Sequence, residues 1–129
     1  MPHRILVVED DYAFRWALAV FLQRTHVEVD VAECGRDAVA LLGKSGKDYC
    51  AVVLDLSIPA PDGPALIRMI GESYPDLPVL VVTANPEPMI RLRDEPCVNV
   101  VKLVLTKPVD VGEVAALAHA DCRKPSVVG

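Results

Sequence analysis

Four groups of polar residues in this chain each stand at or just past the end of an apolar run. Glu9-Asp10-Asp11 follow Ile5–Val8, and Asp55 follows Val52-Val53-Leu54. Thr83 follows Val79–Val82, and Lys107 comes two residues after the run Val100–Leu105. An acid in such a place is costly unless it has a partner. Carboxylates gathered at one spot repel; at about 5 Å and an effective dielectric near 20, each pair costs roughly 3 kcal/mol. A lysine offsets part of this, and a hard divalent cation offsets more. Mg²⁺ takes oxygen ligands and is commonly held by one or two carboxylates plus a phosphate, and Mn²⁺ suits the same ligands. Glu9, Asp10 and Asp55 would give such a site with open positions. An acceptor carboxylate beside the cation, a lysine and a threonine hydroxyl is an arrangement for phosphoryl transfer.

These residues converge only if the elements before them lie side by side. Apolar runs begin at positions 5, 27, 51, 79 and 100, an interval of about one strand plus one helix. Between them, Tyr12–Arg24 carries Phe14, Leu18, Phe21 and Leu22 at helical spacing. Gly35–Leu42 repeats that pattern, with Gly43 as an expected stop. Pro64–Ser73 opens with proline in the first turn, after Asp62-Gly63. Asn85 is expected to cap a short fourth helix that Pro96 ends, and Asp110-x-x-Glu113 to start a fifth running to about residue 121. The pattern predicts an α/β fold, a flavodoxin-like, doubly wound, five-stranded parallel sheet with five helices. Runs one, three and four are almost wholly apolar and suit central strands. Val27–Val31 alternates and suits one edge, and the mixed fifth run suits the other. Strand order 2-1-3-4-5 satisfies this and brings all four polar groups to the carboxyl-end rim.

Composition narrows the classes. The 129 residues suit one domain, expected over 3–121, with 122–129 as a disordered tail. The net charge of -5 argues against direct nucleic-acid binding. No apolar run approaches the roughly 18 residues that span a membrane, and the N-terminus does not read as a signal peptide. Cys34, Cys50, Cys97 and Cys122 are widely spaced, with no C-x-x-C and no paired histidines. They read as small hydrophobes in a reducing, cytoplasmic compartment rather than as zinc or redox motifs.

Ile5-Leu6-Val7-Val8-Glu9-Asp10-Asp11, Leu54-Asp55-Leu56-Ser57-Ile58-Pro59 with Asp62-Gly63, Val82-Thr83-Ala84, and Thr106-Lys107-Pro108 occur in that order. On these motifs the chain resembles the receiver domain of bacterial two-component response regulators. The resemblance implies that Asp55 is phosphorylated from the phosphohistidine of a sensor histidine kinase or phosphotransfer protein. It implies a Mg²⁺ (or Mn²⁺) site of Glu9, Asp10, Asp55 and the Ser57 backbone carbonyl, with Glu9 acting through water. Thr83 and Lys107 would bind phosphoryl oxygens, and the Lys107–Pro108 bond would be cis. Ser57 and Asn85, two residues after Asp55 and Thr83, occupy places that resemble the family's tuners of self-dephosphorylation. The implied role is that of a signalling phosphoacceptor rather than a separate enzyme, relaying its state through contacts with a downstream protein.

Two departures stand out. The family usually has an aromatic switch residue three positions before the lysine, where this chain has Val104. Asn85-Pro86-Glu87-Pro88 also loads the fourth helix with proline. The expectation is retained chemistry with an unusual readout. The alternative is a receiver-fold interaction module that works independently of phosphorylation. A haloacid-dehalogenase-type phosphatase would need a second acid where Ser57 stands. A flavodoxin-like nucleotide binder would need a phosphate loop where Glu9-Asp10-Asp11 stands. No output domain fits in this length, so the chain reads as a stand-alone receiver or a piece of a longer regulator or hybrid kinase. Glu9, Asp10, Asp11, Asp55 and Lys107 together carry -3 of the net -5, so the acidic surplus belongs mainly to the rim.

Overall fold

The structure is a computed structural model and describes residues 3–122. Five parallel strands, β1 (Arg4–Val8), β2 (Glu28–Ala32), β3 (Ala51–Leu54), β4 (Val79–Thr83) and β5 (Val101–Thr106), form one sheet. Their order is 2-1-3-4-5, as expected. Helices α1 (Tyr12–Gln23), α2 (Gly35–Ser45), α3 (Gly63–Ser73) and α4 (Val111–Ala120) cover both faces. Because successive strand residues point to opposite sides, Ile5, Val7, Val53, Leu80 and Val82 meet Leu18 and Leu22 of α1 and Val114 and Ala118 of α4. Leu6, Val8, Val52, Leu54, Val79 and Val81 meet Leu42 of α2 and Leu66 and Ile67 of α3. Strands β3 and β4 are buried along their whole length, which is why their sequences show no alternation.

Helix starts follow the sequence signals. Asp11, Asp62 and Asp110 each accept a hydrogen bond from the backbone N–H three residues on, at 3.2, 3.0 and 3.0 Å. Each satisfies an amide that has no partner within its helix. Gly63 lets the start of α3 lie against the segment leaving β3: a Cβ there would stand 2.5 Å from the Leu56 Cα.

Three expectations are corrected. Helix α2 does not stop at Gly43 but runs on to Ser45. Gly46, packed under the Tyr74 ring, follows its end, while the Tyr74 hydroxyl donates to the Leu42 carbonyl at 2.9 Å. The fourth of the five helical segments is not α-helical and is not ended by Pro96. It consists of two 3₁₀ stretches, Glu87–Leu92 and Pro96–Val100. Pro86, Pro88 and Pro96 lack the N–H that an α-helix needs. The chain instead makes three-residue turns, such as Met89 N–H to the Pro86 carbonyl at 3.0 Å and Val98 N–H to the Glu95 carbonyl at 3.1 Å. The cysteines, thirdly, are not all inert hydrophobes: Cys50 and Cys122 form a disulfide, while Cys34 and Cys97 are free. Cys122, expected to open a frayed tail, is thereby fastened to the residue preceding β3. The remainder of that expected tail, 123–129, lies outside the described residues.

Candidate functional site: the carboxyl-end rim

Backbone hydrogen bonds at the strand ends assemble the rim. Glu9 N–H donates to the Ala32 carbonyl at 3.0 Å, and Asp55 N–H to Val8 at 3.0 Å. Lys107 N–H donates to the Thr83 carbonyl at 2.8 Å. Residues 23 to 47 positions apart thus become neighbours. Glu9, Asp55 and Thr83 are buried, and Asp10 is exposed. One carboxylate oxygen from each of Glu9, Asp10 and Asp55 lies within 4.8 Å of the others. This all-oxygen donor set, with one member open to solvent, fits a hard cation such as Mg²⁺.

Lys107 Nζ pairs with Glu9 Oε1 and sits 3.0 Å from Asp55 Oδ2. The Ser57 backbone N–H donates to Asp55 Oδ1 at 2.9 Å, so both Asp55 oxygens are held. The Lys107–Pro108 bond is cis, as the resemblance implied, and so is Ala60–Pro61. Thr83 is fully buried, with its hydroxyl accepting the Asn85 N–H at 3.3 Å. The Asn85 side chain accepts the Glu87 N–H at 3.2 Å and so opens the first 3₁₀ stretch. Ser57 and Asn85 are themselves exposed at the mouth of the rim. Val104 lies away from Asp55, paired with Val81 on the sheet edge and 37% exposed. Asp11 sits on the rim as the α1 cap rather than within the donor cluster.

Two contributors were not recognised in the sequence. Arg15 is buried; it donates to the Glu9 carbonyl at 2.9 Å and to Glu33 at 3.1 Å, which fixes the β1–α1 turn. Its spacing with Leu18 and Leu22 was the available signal, because it puts a charge on the inward stripe of α1. Phe14, read as a core residue, places its ring centroid 4.6 Å from Lys107 Nζ and so braces the ammonium from one side.

The electrostatics divide the two buried carboxyls. Burial above all, with the hydrogen bond it shares with Asp55 acting in the same direction, outweighs its lysine partner and pushes Glu9 up to about 7. Burial works on Asp55 in the same direction but is outweighed. Hydrogen bonds from the Ser57 N–H, Glu9, Lys107 and Thr83 hold it below the ordinary carboxylate value. Burial would lower Lys107, yet its bonds to Glu9 and Asp55 raise it overall. Asp55 is therefore kept anionic, beside a fixed cation, at neutral pH.

Comparison with known proteins agrees with this geometry. The family model described as the response regulator receiver domain matches residues 5–119. The chain is 43% identical over 85 residues to the response regulator MprA of Mycolicibacterium vanbaalenii, covering 66% of this chain and 36% of MprA. It is 37% identical over 123 residues to the virulence transcriptional regulatory protein PhoP of Salmonella typhimurium, covering 95% of this chain and 53% of PhoP. The chain thus spans about a third to a half of the length of these curated relatives. A solved sensor protein from Polaromonas sp. JS666 superposes with a TM-score of 0.77 at 28% identity, over 92% of this chain and 94% of that one. Among the described residues, no helix is long and apolar enough to cross a membrane. On the family match, the four motifs and the rim they build, the chain belongs to the response regulator receiver domain family of two-component signalling.

Proposed function

We propose that residues 3–121 act as a phosphoacceptor and that Asp55 receives the phosphoryl group from a phosphohistidine on a sensor histidine kinase or phosphotransfer protein. The observation that carries this reading is the Lys107 ammonium 3.0 Å from Asp55 Oδ2, across a sequence separation of 52. An Asp55 carboxylate oxygen forms the new bond to phosphorus while the phosphorus–nitrogen bond breaks. The electron pair leaves with the donor imidazole, which takes up a proton. Lys107, paired with carboxylates at rest, turns to a phosphoryl oxygen, and the Thr83 hydroxyl binds another. Glu9, Asp10, Asp55 and the Ser57 carbonyl would hold Mg²⁺ (or Mn²⁺), which supplies positive charge for the phosphoryl oxygens. The chain in this reading assists its own phosphorylation and dephosphorylation and signals through altered protein contacts, without binding nucleic acid or membrane. Incubation with Mg²⁺ and a small phosphodonor should raise the intact mass by one phosphoryl group in the wild type and not in Asp55→Asn. No gain in the wild type would favour an interaction module independent of phosphorylation.

In this reading Ser57 and Asn85 admit or exclude the water that attacks the acyl phosphate; their exposure, and the bonds of their N–H groups to Asp55 and Thr83, support it. Exchanging each for a bulkier side chain should change the decay rate of the phosphorylated form several-fold, read from the loss of mass with time. An unchanged rate in both variants would remove them from this role.

The readout is expected to be unconventional. Val104 carries no ring to swing inward behind Thr83, and the adjoining segment is 3₁₀ rather than α-helical. Beryllofluoride should therefore shift amide resonances around 55, 83 and 107 strongly and those across 84–105 weakly. A full conventional shift across 84–105 would contradict this.

A further inference from the structure

The opposite end of the sheet holds a second cluster of ligating side chains, which the phosphoryl-transfer chemistry does not use. His3 precedes β1, Cys50 precedes β3, and Cys122 follows α4. Cys122 Sγ lies 3.4 Å from His3 Nδ1 and is bonded to Cys50. One ligand atom from each of the three lies within 4.8 Å of the others. The His119 ring, on the last turn of α4, meets the His3 ring edge-on at 5.6 Å. We propose that these residues form a second metal site, for a thiophilic divalent cation of the zinc class, which opens when the Cys50–Cys122 bond is reduced. His3, Cys50 and Cys122 would be ligands, with His119 as the fourth.

Three features carry this. The donors are two thiols and two imidazoles, the set that favours zinc over the hard cations suited to the rim. Their spacing suits a small tetrahedron. With Zn–S about 2.3 Å and Zn–N about 2.0 Å, bound sulfur and nitrogen stand about 3.5 Å apart and two sulfurs about 3.8 Å apart. The His3–Cys122 pair already has the first separation, and two thiols no longer bonded move toward the second. The backbones are also fixed in advance: the His3 carbonyl accepts the Glu28 N–H at 2.8 Å, Cys50 N–H donates to Arg4 at 2.8 Å, and Cys122 N–H donates to His119 at 3.2 Å. His119-x-x-Cys122 puts two donors at neighbouring positions at the end of α4. Cys50 is 4% exposed, so one of the four ligands is shielded from water, while His3 and Cys122 are partly buried and His119 is open to it.

The chemistry balances with a dithiol as reductant. It gives two electrons and two protons to the disulfide, becoming a disulfide itself, and the cation then displaces the two thiol protons to solvent. The site would exchange one clamp on the end of α4 for another.

Reduced protein, freed of dithiol under nitrogen and kept in excess Mg²⁺ to occupy the rim, should bind one Co²⁺ per chain with thiolate-to-metal charge-transfer absorption. Zn²⁺ should abolish that absorption, and the oxidised protein should not develop it. Zn²⁺ should also slow alkylation of Cys50 and Cys122 at least tenfold while leaving Cys34 and Cys97 unaffected. Cys50→Ser and Cys122→Ser should lose the absorption, and His3→Ala should bind Co²⁺ at least tenfold more weakly. Absence of both charge transfer and alkylation protection in the reduced wild type would overturn the proposal, as would charge transfer that survives in Cys50→Ser.

Discussion

Replacing Lys107 by alanine is expected to slow phosphoryl uptake at Asp55 by about 10²–10³-fold, the usual loss when one preorganised group that stabilises developing charge is removed. Two independent losses combine here. The ammonium that would meet the phosphoryl oxygens is gone, and Glu9 and Asp55, both buried, are left facing each other without their shared cation. The second loss has its own signature. Removing one partner of a buried ion pair strands the other, so the metal-free variant at pH 8 should be less stable than the wild type by about 3 kcal/mol. Mg²⁺ should restore more stability to this variant than to the wild type, because it enters the same cluster of negative charge. Time courses of intact mass and urea unfolding with and without Mg²⁺ read the two effects separately. A rate within threefold of the wild type would remove Lys107 from the transfer step.

Glu9 should make the metal-free protein lose stability as the solution becomes more alkaline. Its ordinary value is 4.5 and burial lifts it to about 7, so between these values the folded chain keeps a proton that the unfolded chain has released. Glu9's favourable contribution is complete below 4.5 and is lost as pH rises through about 7. The loss across this window amounts to about 3 kcal/mol. Asp55 runs the other way: held below its ordinary value, it contributes above that value and loses its contribution only in acid. Lys107, raised, loses its contribution only in strong alkali. Between pH 5 and 8, Glu9 is therefore the rim group that titrates. Glu9→Gln should flatten the stability profile across this range, and saturating Mg²⁺ should flatten the wild-type profile by favouring the ionised carboxylate. Mg²⁺ affinity should itself weaken, by up to about tenfold per pH unit, as the solution is acidified below 7. An identical slope in Glu9→Gln and the wild type would place the titration elsewhere.

How far the fold could be read from the residues depended on how local each signal was. β1, β3 and β4 end in polar residues directly after fully apolar runs, so their rim positions followed once the sheet was parallel. The cap at Asp110 rests on a contact three residues long and was equally legible. Gly43 misled because the end of α2 is set by Tyr74, about thirty residues away, packing over Gly46. The prolines at 86, 88 and 96 marked a broken segment, but not that three-residue turns would carry it onward. Arg15 was hidden by its neighbours: a lone charge among helical apolar positions reads as surface until Glu9 closes onto it. The Cys50–Cys122 bond joins residues 72 apart and no short motif announces it. His3 reaches the same place only because β1 lies beside both β2 and β3.

That Asp55 itself carries the phosphoryl group is tested most directly by locating the modified residue. After Mg²⁺-dependent phosphorylation, borohydride reduces an acyl phosphate to the corresponding alcohol and leaves free carboxylates untouched. Peptide mass spectrometry should then find homoserine at position 55 and aspartate at positions 10 and 11. Homoserine at 10 or 11, or none at 55 in protein whose mass had risen, would contradict the account.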